Sequence, residues 1–68
     1  MFDDYAIEIW YSKEDMAFLA RIPELQGCIA DGQTREEAIK ELKNVFDMWT
    51  DVATEEGMAI PEPRKLAV

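Results

Sequence analysis

Sixty-eight residues make one domain, and a chain this short buries only about 60% of the surface its unfolded form exposes. Hydrophobic residues at 49%, with two Trp and three Phe, exclude a disordered chain and favour an oligomer that hides more surface than a monomer can. The net charge of −8, from fifteen acids against seven bases, argues against direct nucleic-acid binding and for a partner of opposite charge.

The chain opens on an alternating stretch, residues 4–11. Tyr5, Ile7, Ile9 and Tyr11 take one side; Ala6, Glu8 and Trp10 take the other. Period two with β-branched and aromatic residues predicts a strand. The polar run 12–15 (SKED) is a turn, and residues 16–22 form a second strand, with Phe18, Ala20 and Ile22 opposite in sense to Ala17, Leu19 and Arg21. The short connection makes the two an antiparallel hairpin. Pro23 ends the second strand because it has no N–H to donate. A bend at 24–27 (ELQG) leads to a short third strand at 28–30, closed by Asp31-Gly32.

Residues 34–57 then read as one amphipathic helix, about 33 Å long. Thr34 is its cap and Glu37 the partner in a capping box, with Gly57 in the left-handed position that closes the far end. Ala38, Leu42, Val45, Phe46, Trp49, Val52 and Ala53 fill an apolar arc of roughly 120°, wide enough to lie on a sheet, and Ile39 and Met48 flank it. Beyond Gly57, Ile60 folds back on the last turn, Pro61 and Pro63 stiffen an extended segment, and residues 66–68 add a possible edge strand. The fold class is α+β: a three-to-four-stranded antiparallel sheet with one long helix on one face, in the order β-β-β-α-β, as a single domain over residues 1–68.

The chemistry of the side chains points to binding, not catalysis. There is no histidine to act as a base and no glycine-rich phosphate loop. A single cysteine, Cys28, excludes an internal disulfide and, in a chain without histidine, a Cys/His zinc site. Its apolar setting predicts a buried, inert thiol. Asp4, Glu8, Asp31 and Glu37 are the carboxylates a metal-dependent nuclease would draw on, but each has a turn, strand-face or cap role, so neither metal nor cofactor is expected. No apolar run approaches the roughly 20 residues of a membrane span, and the acidic N-terminus is unlike a signal peptide, so a cytoplasmic protein is expected.

Two surfaces are candidates for contact. Asp47, Asp51 and Glu55, spaced i, i+4, i+8, make an acidic stripe for a basic partner, although a solvated helix face explains the same pattern. Trp10 and Leu19, on the sheet face away from the helix, are candidates for self-association.

Several segments together resemble the HicB-like antitoxin family, in its N-terminal domain. Ala20-Arg21-Ile22-Pro23-Glu24-Leu25 closes the hairpin in the family's manner. Gly27-Cys28 leads to Ala30-Asp31-Gly32-Gln33-Thr34. Glu36-Glu37-Ala38 opens the helix, Trp49 lies in its later half, and Gly57-Met58-Ala59-Ile60-Pro61-Glu62-Pro63 ends the pattern. The resemblance spans nearly the whole chain. It implies a partial ribonuclease-H-like fold, assembly into dimers or tetramers, and an antitoxin that neutralises a small, basic, mRNA-cleaving toxin of the HicA type by covering its RNA-binding and active-site surface. Many members carry a C-terminal DNA-binding domain; the sequence stops at Val68 without one, so operator binding is not expected of it. The alternative is a solitary self-associating structural or adaptor domain with no toxin partner.

Overall fold

A computed structural model describes residues 2–61, the Asp3 side chain excepted. The sheet has three antiparallel strands in the order β1-β2-β3: β1 is Glu8–Ser12, β2 is Ala17–Arg21 and β3 is Ile29–Gly32. One helix, α1 (Arg35–Glu55), lies across one face of it. The expected α+β class is therefore observed, with three strands; the segment 66–68 expected as an edge strand lies outside the described residues.

The register carries the side-chain alternation across the sheet. Trp10 stands opposite Leu19, and Leu19 opposite Asp31; Tyr11 faces Phe18, and Phe18 faces Gly32. Ile9, Tyr11, Phe18, Ala20 and Ala30 consequently share the helix side, while Glu8, Trp10, Leu19, Arg21 and Ile29 share the outer side. Ala20, Ile22, Leu25, Cys28, Ala38, Leu42 and Phe46 make the buried core between the layers, joined by Phe2 and Tyr5.

All three strands differ in their bounds from the sequence reading. The first strand begins at Glu8, not at residue 4, because Phe2–Asp4 forms a 3₁₀ turn, with the Tyr5 N–H donating to the Phe2 carbonyl at 3.2 Å. Two aromatic contacts hold the chain there. Phe2 and Tyr5 pack their rings on Phe46 at 5.4 and 5.5 Å between centroids, a geometry that favours tilted or edge-on pairs. Strand β2 is one residue shorter at each end than the expected 16–22: Met16 closes the hairpin in the left-handed region (φ 51°), and pairing stops at Arg21 before Pro23. Strand β3 takes in Asp31 and Gly32, which the sequence reading placed in a closing turn, because Gly32 pairs with Phe18.

Both ends of α1 are capped as their residues dictate. The Glu37 N–H donates to Thr34 Oγ1 at 3.1 Å, and the Glu37 carboxylate accepts from the Gln33 N–H at 2.9 Å. That second bond reaches one residue further back than the standard box, and still satisfies a backbone donor at the helix entrance. At the far end Gly57 adopts φ 71°, its N–H donates to the Thr54 carbonyl at 3.2 Å, and the Met58 N–H donates to the Ala53 carbonyl at 2.8 Å. These two bonds are the Schellman pattern, in which only glycine takes the left-handed residue without strain. Gly32 serves a different need. A Cβ there would lie 2.5 Å from the Ala38 nitrogen, so a glycine lets β3 and the first turn of α1 touch backbone to backbone.

Candidate functional site

The sheet is shorter than its helix. Strands of four and five residues span about 13–17 Å, whereas the 21 residues of α1 span about 32 Å. The apolar arc of the helix therefore divides. Ala38, Leu42, Phe46 and Ala53 are buried, Val45 and Trp49 half-buried, and Val52 is 53% exposed where the sequence reading placed it against the sheet. Met48 is 61% exposed beside it, and Met58, brought back by the Schellman turn, is 53% exposed. Val45, Met48, Trp49, Val52, Ala53 and Met58 line one continuous shallow groove whose walls are almost wholly apolar. Trp49 is fixed at its floor, since its indole N–H donates to the Gln26 carbonyl at 2.9 Å. The sequence reading missed this groove. The signal that could have found it was the length mismatch between a 24-residue helical pattern and strands of three to eight residues.

The acidic stripe lies alongside. Asp47, Asp51 and Glu55 are all exposed. Lys43 Nζ stands 3.8 Å from Asp47 Oδ2, but both side chains are about 60% exposed, so water screens the pair and its contribution is small. Asp51 and Glu55 lie on the groove's outer rim by helical spacing, and Asp47 one step further round. Glu41, one turn before Val45, and Glu56, one turn after Val52, are also exposed and close the groove's two ends. Among the described residues, no Lys or Arg lines the groove.

The outer sheet face is different in character. Trp10 and Leu19, the pair expected to support self-association, are direct cross-strand partners; Trp10 is 39% exposed, Leu19 half-buried, and Ile29 on the next strand 45% exposed. The Arg21 Nε–H donates to Glu8 Oε1 at 2.6 Å, and its guanidinium carbon lies 5.9 Å from the centre of the Trp10 ring. One cation and one anion thus sit within the apolar patch and satisfy each other and the aromatic face.

The carboxylates weighed for metal binding are scattered. Glu8 is engaged by Arg21, Glu37 by the Gln33 N–H, Asp31 is exposed opposite Leu19, and Asp4 stands at the 3₁₀ turn. Among the described residues, no group of three or more His, Cys, Asp or Glu is placed to hold a metal ion. Cys28 is buried, and burial pushes its thiol above its ordinary value. It sits in a closed bend, where Leu25 N–H donates to Ile22 O at 3.1 Å and Cys28 N–H to Leu25 O at 3.0 Å. Among the described residues, no helix is long and apolar enough to cross a membrane.

Comparison with known proteins adds a family. The model of the UPF0150-like family matches residues 8–61, from the first residue of β1 to Pro61 after the Schellman turn. A UPF0150 protein of Synechocystis sp. is 40% identical over 58 residues, which cover 85% of this chain and 78% of that protein. No solved structure matches the chain at a significant level.

Proposed function

The chain belongs to the UPF0150-like family, and from that premise we propose that it is an antitoxin-like binding module, not an enzyme. Its partner in this reading is a small basic toxin of the HicA type that cleaves mRNA. The domain neutralises the toxin by covering its RNA-binding and active-site surface, and needs no cofactor to do so. Cytoplasmic location follows from that partner, since mRNA is there.

The observation that carries the reading is the predominantly acidic rim of α1. Asp47, Asp51, Glu55 and their neighbours Glu41 and Glu56 present carboxylates over about four turns of a rigid helix, in a chain of net charge −8. An RNA-cleaving protein must offer a basic surface to phosphates, and a rigid acidic surface competes for it. The HicB-like pattern in the sequence supports the same partner class, because its segments fall at the hairpin end, the closed bend, the helix cap and the Schellman turn.

The test is capture from the organism's own lysate on the tagged protein at low salt, with elution by a salt gradient and identification by mass spectrometry. A small basic ribonuclease released as salt rises is the expected result. Recovery of this chain alone would contradict it.

A second reading rests on a specific feature. The outer sheet face, with Trp10, Leu19 and Ile29 around the Glu8–Arg21 pair, suits a solitary self-associating domain or the dimer of a toxin-bound assembly. Sedimentation at micromolar concentration tests it: a dimer or tetramer is expected, and a strict monomer would contradict it.

A further inference from the structure

We infer that the groove formed by Val45, Met48, Trp49, Val52 and Met58 is a seat for a basic amphipathic helix of a partner protein. The inference deepens the reading above by naming the surface and the element it takes. It rests on that reading for a partner of opposite charge, while the groove itself stands on its own geometry.

Three observations converge. Val45, Met48 and Val52 repeat at three- and four-residue spacing, the pattern that receives the i, i+3/i+4, i+7 anchors of an incoming helix. Two of the exposed groove residues are methionines, whose unbranched thioether chains repack around varied apolar anchors. Finally, among the described residues the rim is of one sign. Glu41, Asp51, Glu55 and Glu56 frame the groove, no basic residue occupies the last turn of α1, and the helix C-terminus adds its own partial negative charge.

That rim decides the occupant. A second copy would dock by laying one α1 antiparallel on the other about an axis between Met48 and Trp49. Glu41 of each helix would then stand over Glu55 and Glu56 of the other, carboxylate against carboxylate, an arrangement that opposes association. A helix with Leu or Phe on one side and Lys or Arg beside them meets both the apolar floor and the acidic rim.

The experiment uses the full chain carrying Trp10→Phe, which leaves Trp49 as its single tryptophan. The probe is a synthetic peptide of Leu and Lys, about 18 residues or five turns long, patterned for one apolar face. Controls are the same composition shuffled to abolish that face and a Leu/Glu peptide of the same pattern. Saturable change in Trp49 emission with the Leu/Lys helix alone is expected. Met48→Gln with Val52→Thr, both exposed and so neutral for folding, weakens the complex at least about ten-fold, and raised salt weakens it as well. No emission change, equal binding of the shuffled peptide, or indifference to the double substitution overturns the inference. So does a homodimer of the free protein that the double substitution dissolves. The two levels separate cleanly. A toxin captured equally by the Met48→Gln/Val52→Thr protein removes the groove but keeps the antitoxin reading. Failure to capture any toxin while the Leu/Lys helix binds removes the antitoxin reading but keeps the groove.

Discussion

The two exposed apolar surfaces of this domain are alike in what they contain and unlike in what surrounds them. The outer sheet face has Trp10, Leu19 and Ile29, with a cation and an anion already paired among them and Asp31 exposed at its edge. The helix groove has Val45, Met48, Val52 and Met58, and among the described residues only carboxylates supply charge at its rim. Apolar area gives both surfaces a reason to be covered. Charge decides by what. A patch with both signs can meet its own copy without repulsion, whereas a patch rimmed by one sign selects a partner of the other.

The largest predicted effect strikes both surfaces at once. Gly32→Ala puts a Cβ 2.5 Å from the Ala38 nitrogen and 2.8 Å from the Glu37 carbonyl carbon, all backbone or tightly held atoms. Helix and sheet must move apart, at a cost of about 2–3 kcal/mol, measurable as a lower midpoint in urea. Self-association and peptide binding should fall together. If only one falls, the two surfaces do not share this support.

Next in size is the helix cap. Thr34→Ala removes the acceptor of the Glu37 N–H and should cost about 1 kcal/mol in the same urea measurement. The cap lies at the end of α1 remote from Met48 and Val52, so binding in the groove should persist in the folded protein. Loss of both would show that the helix answers as one unit.

Arg21→Glu sharpens the contrast in charge. It sets a carboxylate directly across from Glu8, like against like, for a loss under about 1 kcal/mol at this half-exposed position. Its larger consequence is that the outer face becomes one-signed like the groove. Sedimentation should then show monomers, and an unchanged oligomer would break the argument that paired charge permits self-contact.

The smallest effect concerns Cys28, which belongs to neither surface. Burial raises its pKa in the folded chain, so the folded state holds the proton more tightly than the unfolded one. The sign follows from linkage: stability is intact below the ordinary thiol range and declines as pH rises through it, above roughly 8.5. Comparing urea midpoints of the native chain and Cys28→Ala across that range should show a steeper alkaline decline in the native chain. A parallel decline would mean that the thiol is not desolvated.

Much of this was legible in the residues themselves. Thr34 with Glu37, and Gly57 with its left-handed backbone, marked both ends of α1, because capping is local chemistry. Alternation gave the correct faces from Glu8 to Tyr11, and so placed Trp10 and Leu19 together, because period two survives even where strand ends are misjudged. The ends themselves were not legible. That Phe2 and Tyr5 turn onto Phe46 instead of extending β1 is a tertiary contact, 44 and 41 residues away, with no local signature. The groove was hidden for a related reason. Periodicity places Val52 on the same arc as Leu42 and Ala53, and only the finite length of the sheet leaves it uncovered.

The most direct test of the central claim is an RNA-cleavage titration. Should the capture experiment return the proposed basic ribonuclease, that protein is held at fixed concentration with a labelled mRNA, and the purified chain is added stepwise. Cleavage should fall linearly and stop when the chain matches the toxin in binding sites, with inhibition relieved by high salt. Cleavage that continues undiminished through saturating chain, in a mixture where the two proteins demonstrably associate, would show binding without blockade and contradict the account.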